Sequence, residues 1–444
     1  MAKELSTYSN LLQFEAKIGE TSEEKLFTIM NVENESVEII NILLKTEYLF
    51  EFTSDSLPIT LAPHELTLKY TNTSIINERA DAVILNDKMY TCDDNNDVKI
   101  YQINENGTIS FIRQLSMSHP VVGIGGYGNV LIACMGAEGI VSILINEDGT
   151  LTEVEAYDTG QDAYNVVMTE NFAYVANGTN GLSIYEYNAL NANIVFLTNH
   201  SVVDALAVNV DVDNNFIYVC NTSELSVYSF DGYTLLKKDS YSAGPSPSIM
   251  NVSTTATTEH IFVSDSQGYV YSLSVSSSGT LTYNNTISIA NPNRIKYSGT
   301  YLYITTHTNY KLHAIALKDD GTIHKLASYN SSTGTIEVPI LLTYNNYIFM
   351  GYLTGAGGTY ILTYEKNADC EIQIPCTFSP ETDETVVNTI HIYSDASDSP
   401  DEVSLEGTGL GNAENGMSSI NYMEVAKSRI ATQYKADEVE IIEN

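Results

Sequence analysis

Tryptophan is absent from this sequence, and cations are scarce. Lysines and arginines number 20 against 56 aspartates and glutamates, a formal net charge of −36. Such a surface repels phosphate backbones and anionic headgroups, which argues against nucleic acid or membrane as a partner. Cysteine is thin as well. The five thiols (Cys92, Cys134, Cys220, Cys370 and Cys376) form no C-x-x-C pair, so they read as small buried side chains, not metal ligands. No apolar run marks a secretory signal in Met1–Tyr8, MAKELSTY, and no stretch is long and apolar enough to span a bilayer. Synthesis in a cytosol with reduced thiols is the expectation, and triplets such as Asn177-Gly178-Thr179 are then turn composition. The common catalytic signatures are missing too. Neither Gly-x-Ser-x-Gly, a phosphate loop nor His-Glu-x-x-His occurs, and the eight histidines are scattered.

What is present is repetition. The clearest copy is Ala173–Phe196, AYVANGTNGLSIYEYNALNANIVF: a short apolar strand, an Asn/Gly turn, an alternating strand, then a loop and a further strand. Copies centre on Tyr90, Ile132, Tyr174, Tyr218, Phe262, Tyr303 and Phe349, at spacings of 42, 42, 44, 44, 41 and 46 residues. Period-two alternation with Gly and Asn at the reversals is the pattern of an antiparallel meander. A fixed period in the low forties with no helix inside it predicts an all-β fold, a seven-bladed β-propeller. Hydrophobic residues make up 43% of the chain, enough for a large core, and the 31 tyrosines suit outer strands by their β propensity.

Four copies share a finer pattern: IYQINENGTISFI from Ile100, VSILINEDGTLTEV from Val141, VYSLSVSSSGTLTY from Val270 and LHAIALKDDGTIHKL from Leu312. Gly supplies the positive φ of a tight hairpin and Thr opens the next strand. In these residues the chain resembles the lactonase-like, or YVTN-type, seven-bladed propellers from Leu66 to Lys366. The resemblance implies the fold; propellers of this kind serve as enzymes, binding modules and scaffolds alike.

The two ends lie outside the repeat. Phe27–Asn41 gives two alternating runs around a turn at Asn34, a strand is expected at Tyr48–Thr53, and Leu57–Glu65 follows. Beyond the last copy, strands are expected around Ile372–Phe378, Asn388–Ser394 and Glu402–Leu405. Neither piece can bury a sheet alone, but together they supply a sandwich. The elements Phe27, Ile29 and Asn31; Leu61 and Pro63; Phe378 and Pro380; Ile390, Ile392, Ser394 and Asp395; and Leu405, Gly407, Thr408 and Gly409 resemble the ASH (Hydin-like) immunoglobulin domain. The expected organisation is a split Ig-like sandwich (residues 1–65 with 368–411), a propeller inserted into it (66–367), and a linker with a C-terminal helix (412–444). Insertion is tolerated where the guest's termini lie close together. The seventh copy shows only three strands, and Leu66–Ile75 is expected to supply its fourth, closing the ring.

Links from each blade's outer strand to the next inner strand lie over one mouth of a propeller's channel. These links carry Asp81, His119, Asp162, Asp204, Ser246, Arg294 and Glu337. Four converging carboxylates would attract a cation, with calcium the one candidate cofactor, and would raise one another's pKa. Lactonase-like enzymes hold acidic, His and Arg site residues in this region, which implies hydrolysis of a small cyclic ester as the alternative activity; no catalytic residue is assigned. Asn209–Asn214 has calcium-like acid spacing without the Gly and distal Glu of an EF-hand, and reads as a solvated turn. Ser418–Lys435 is the one helical pattern, with Tyr422, Arg429, Ile430 and Tyr434 as its assembly residues. Its stretch Ala426–Lys435, AKSRIATQYK, is similar to a segment of phage tail structural proteins. The favoured expectation is therefore a non-enzymatic virion component of a tailed phage, made in the host cytoplasm and oligomeric in its assembly. Its partners would be other virion subunits and a host-surface glycan or protein.

Overall fold

The structure, a computed structural model, describes residues 5–8, 11–17, 25–31, 37–44, 59–61, 65–76, 81–93, 96–200, 207–212, 216–222, 224–242, 249–254, 260–298, 301–307, 311–318, 320–330, 340–353, 359–367, 371–376, 385–394 and 401–410. The chain divides into two compact units, Met1–His64 with Ala368–Asn444 and Glu65–Asn367. All described regular structure is strand. The C-terminal helix with Tyr422, Arg429, Ile430 and Tyr434, and the strand expected at Tyr48–Thr53, lie outside the described residues.

Glu65–Asn367 is a seven-bladed propeller, seven antiparallel sheets of four strands. Six blades are sequential meanders; blade 3, for example, is Phe172–Asn177 flanked by Ala163–Met168 and Leu182–Tyr187, with Ile194–His200 outermost. The seventh is built from Leu341–Tyr344, Tyr347–Leu353 and Thr359–Lys366, completed by Leu66–Ile76 from the start of the unit. Backbone pairs from Leu66↔Lys366 to Ile76↔Thr359 form this seam. At its end Glu65 and Asn367 exchange hydrogen bonds: Asn367 N–H donates to Glu65 O (3.0 Å), and Glu65 N–H donates to Asn367 Oδ1 (2.9 Å). The first and last residues of the unit therefore lie side by side, which leaves the ring no free inner seam.

The residues on which the repeat centres, Tyr90, Ile132, Tyr174, Tyr218, Phe262, Tyr303 and Phe349, all occupy second strands and are all buried. Large side chains belong there because a second strand is covered by a neighbouring blade on each face. Blade junctions are aromatic farther out. Rings near the ends of fourth strands pack on third-strand tyrosines of the next blade: Tyr157 on Tyr185, His200 on Tyr228, Tyr241 on Tyr271 and Tyr329 on Tyr364, with centroids 5.0–6.3 Å apart. Tyrosine thus does more than satisfy outer-strand propensity; it fills the junctions where tryptophan is missing.

Every fourth strand carries a β-bulge at the same place, opposite Tyr101, Ile143, Tyr185, Tyr228, Leu273, Ile315 and Tyr364. These edges are open, and a bulge twists such an edge away from further pairing. The Gly-Thr hairpins join third to fourth strands as expected. Gly107, Gly149, Gly279 and Gly321 sit at φ between 75° and 86°. In three of the turns the Thr N–H and hydroxyl both donate to the residue two before it (Asn106, Asp148 or Asp320) at 2.6–3.1 Å. Fourth strands are also latched backwards: N–H groups of Ile194, Leu281 and Ile323 donate to Glu155, Asp239 and Asn285 of the preceding blade at 2.8–3.0 Å.

Among the described residues, the unit formed by the two chain ends contains two sheets. One joins Leu5–Tyr8, Lys25–Asn31 and Glu371–Cys376. The other orders Leu11–Lys17, Asp401–Leu410, Thr385–Ser394, Val37–Leu44 and Ile59–Leu61. Each sheet pairs strands from both ends of the chain, and Ile29, Ile39, Ile390 and Ile392 are fully buried. Leu5–Tyr8 and Leu11–Lys17 carried no alternation strong enough to read as strands in the sequence. The second of these pairs in parallel with Asp401–Leu410, a long-range pairing that local pattern does not announce.

Candidate functional site

The seven inner strands surround a central cavity of about 390 Å³. Two residues after each blade centre the second strand bears a small side chain, Cys92, Cys134, Ala176, Cys220, Ser264, Thr305 or Gly351. Five of these pair directly with Asp81, Gly123, Asn165, Asn209 and Asn251. Arg294 N–H donates to Thr305 Oγ1 (3.2 Å), and Gly351 N–H donates to Ile340 O (3.0 Å), completing an upper ring. One step further in, Val83, Gly125, Val167, Asp211, Ser253, Lys296 and Leu342 pair with the blade centres and form a second ring. The cavity lining includes Asp81, Asn165, Asn251 and Arg294 from the first ring and Asp211, Ser253 and Lys296 from the second.

Blades 3 to 5 share a bulge just before the upper ring, at Ala163/Asn165, Ala207/Asn209 and Ile249/Asn251, and in blade 6 the irregularity Pro292/Ile295 takes in Arg294 itself. A bulge bends its strand and re-aims the following side chain. Several ring side chains then bind the next blade. Ile124 N–H donates to Asp81 Oδ2 at 3.1 Å, Val210 N–H to Asn165 Oδ1 at 3.2 Å and Tyr297 N–H to Ser253 Oγ at 3.0 Å. Asn251 Nδ2 donates to Asn293 O. Blade 2 is the exception. A Cβ at Gly123 would lie 2.5 Å from Tyr164 O, and one at Gly125 would lie 2.6 Å from Val166 O. The inner strands of blades 2 and 3 therefore meet backbone to backbone, a close approach open only to glycine.

Burial pushes the Asp81 carboxyl above its ordinary pKa; Arg294, the N–H groups of Ile124 and Ala82, and Lys296 pull the other way. Cys134 and Cys220 are buried behind this lining, and burial, reinforced by Asp81 and Asp211 respectively, pushes both thiols up. They remain protonated and poor nucleophiles.

Of the residues singled out in the sequence, the structure brings Asp81 and Arg294 into the cavity wall. Asp162 is exposed, with its carboxylate taking a hydrogen bond from Tyr164 Oη (3.2 Å), and is not in the lining. His119 also lies outside the lining, 4.0 Å from Glu138 and hydrogen-bonded to Ser118. Asp204, Ser246 and Glu337 lie outside the described residues. The wall thus combines acids with the cations Arg294 and Lys296. Asn209–Val212, read as part of a solvated turn, is instead part of the inner strand Ala207–Val212, and Asp211 lines the cavity. Alternation in AVNVDV was the available signal; the acid spacing drew attention away from it. Among the described residues no group of three or more His, Cys, Asp or Glu side chains is placed to hold a metal ion.

No protein-family model and no curated protein matches this chain. Solved structures do. The β-propeller domain of Cps50 (Swd1) from Myceliophteria thermophila superposes with a TM-score of 0.53 at 11% identity, covering 68% of this chain and 99% of that one. A protein from Lactobacillus plantarum gives a TM-score of 0.51 at 11% identity, covering 82% and 97%. Likeness at this identity speaks for architecture alone. It agrees with the strand order and register above: residues 65–367 are a seven-bladed β-propeller.

Proposed function

We propose that this protein is a non-enzymatic binding and assembly component, with the propeller as its binding body and the unit built from the chain's two ends as its anchor. The observation that carries this reading lies in the channel. Its upper-ring polar groups Asp81, Asn165 and Asn251 each bond to the following blade, an arrangement that fixes the ring and leaves them poorly suited to moving protons. The side chains lining the cavity form no nucleophile–base pair among the described residues. Two sheets that each draw strands from both chain ends support the reading of an ASH-type immunoglobulin-like sandwich carrying the propeller as an insert. The adjacent Glu65 and Asn367 are the junction such an insertion needs.

A tailed-phage virion is the setting favoured by the similarity of Ala426–Lys435 to a phage tail segment. Other virion subunits would bind the anchor, and a host-surface glycan or protein would meet the propeller loops. Mass spectrometry of purified particles should find the chain in stoichiometric amount, and a panel of γ- and δ-lactones should show no turnover above buffer. Lactone hydrolysis abolished by Asp81→Asn would replace this reading with a lactonase-like hydrolase.

A further inference from the structure

The mixed charge of the channel has a use beyond holding blades together. Arg294 and Lys296 stand two residues apart on one inner strand, so both reach the cavity from the same blade. Asn165 and Asn251 each commit one amide atom to the next blade, which leaves Asn165 Nδ2 and Asn251 Oδ1 as a donor and an acceptor at the wall. Aliphatic side chains, among them Val83, Val167 and Leu342, lie between these polar groups, and polar atoms make up the larger part of the cavity surface. A cavity of about 390 Å³ whose wall carries charged groups of both signs among aliphatic side chains has the size of a small-molecule site and suits a polar ligand.

The charge of the whole chain narrows the ligand. A body carrying −36 repels free anions, so a net anion is a poor match even for two local cations. A lone cation would face Arg294 and Lys296. A molecule bearing both signs meets neither objection. We propose that the channel binds a compact zwitterion of the amino-acid class, its carboxylate held by Arg294 and Lys296 and its ammonium directed to Asp211. This rests on the propeller being a binding body and not a catalyst, so the ligand is released unchanged.

The test is isothermal titration and thermal-shift measurement of the full chain with each common L-amino acid in turn. Acetate, ethylammonium and inorganic phosphate serve as single-charge probes. Saturable binding of at least one amino acid is expected, with no shift from the three probes. Lys296 is exposed and makes no blade-to-blade bond described above, so Lys296→Met should fold normally. That variant should weaken binding about tenfold or more, the value of a charged hydrogen bond, and Asp211→Asn should weaken it comparably. Binding of acetate or phosphate as tight as that of the amino acid overturns the zwitterion. So does affinity unchanged in a folded Lys296→Met protein, or no binding by any member of the panel. Those results leave particle association untouched, and that is measured separately.

Discussion

Second strands and first strands of the same blades obey opposite rules. At the repeat centres the second strands carry Tyr, Ile, Tyr, Tyr, Phe, Tyr and Phe, every one buried. The inner-strand residues paired with them are Val83, Gly125, Val167, Asp211, Ser253, Lys296 and Leu342, which range from aliphatic to acidic and basic. The second strand is sandwiched between neighbours and has one solution, a large apolar side chain. The first strand faces the channel, where neighbours constrain it less. Uniformity therefore marks what builds the ring, and divergence marks what the ring has been adapted to hold.

The largest expected effect breaks the uniform side of the comparison. Phe262 is fully buried and stacks on Tyr297 of the next blade with centroids 5.5 Å apart. Phe262→Ala should cost about 3–5 kcal/mol, read as a lower urea midpoint. A loss below about 1 kcal/mol would mean that blade 5 collapses around the gap. A smaller effect tests the one inner strand whose divergence is steric. Gly125→Ala sets a methyl against Val166 O and should cost roughly 1–3 kcal/mol, whereas Val167→Ala at the equivalent position of blade 3 removes bulk and creates no clash. Equal tolerance of both would show that blades 2 and 3 can part slightly.

This contrast also explains what the sequence made legible. The buried centres recur at a nearly fixed period, so blade number, hairpins and the closing strand Leu66–Ile76 could all be read from pattern. The channel could not. Apart from the upper-ring asparagines of blades 3 to 5, its residues change from blade to blade, and in blades 3 to 6 a bulge precedes or includes the ring residue, so counting from the loops lands short of it. Asp81 was found because it begins its inner strand; Arg294 was assigned to the preceding link, although it is the third residue of Pro292–Tyr297. Asn165 and Asn251 occupy that same third position and were missed because the links were taken to end before them, and Asp211 and Lys296 lie two residues further along still.

A third expectation concerns an ionisable group inside the otherwise uniform blade body. His313, on the third strand of blade 6, is buried with its Nδ1 2.8 Å from Ser328 Oγ. Burial, with Lys325 and Lys311 adding to it, lowers its pKa to about 4. The unfolded chain takes up this proton near pH 6.5, well before the folded one. Stability is therefore complete above that pH and falls on acidification from there toward pH 4. His313→Gln should flatten this part of the pH profile of the urea midpoint. A slope identical to wild type would assign the acid sensitivity elsewhere.

The smallest effect concerns the divergent side, and its sign is the informative part. Asp81 is the acidic member of the upper ring, and burial, the strongest influence on it, raises its pKa despite Arg294 and Lys296. A raised carboxyl pKa means that the folded state holds the proton more tightly than the unfolded chain. Below the unfolded value, near pH 3.8, both states are protonated and the group costs nothing. As pH rises through the folded value the buried carboxylate becomes charged and stability falls. Asp81→Asn keeps an acceptor for Ile124 N–H while removing that charge. Its urea midpoint should match wild type near pH 3 and exceed it modestly at neutral pH, by the linkage just given. A mutant less stable than wild type at neutral pH would mean that attraction from Arg294 and Lys296 outweighs desolvation. The channel charges would then form a structural network like the blade body, and the division between strands that build and strands that bind would fail at this ring.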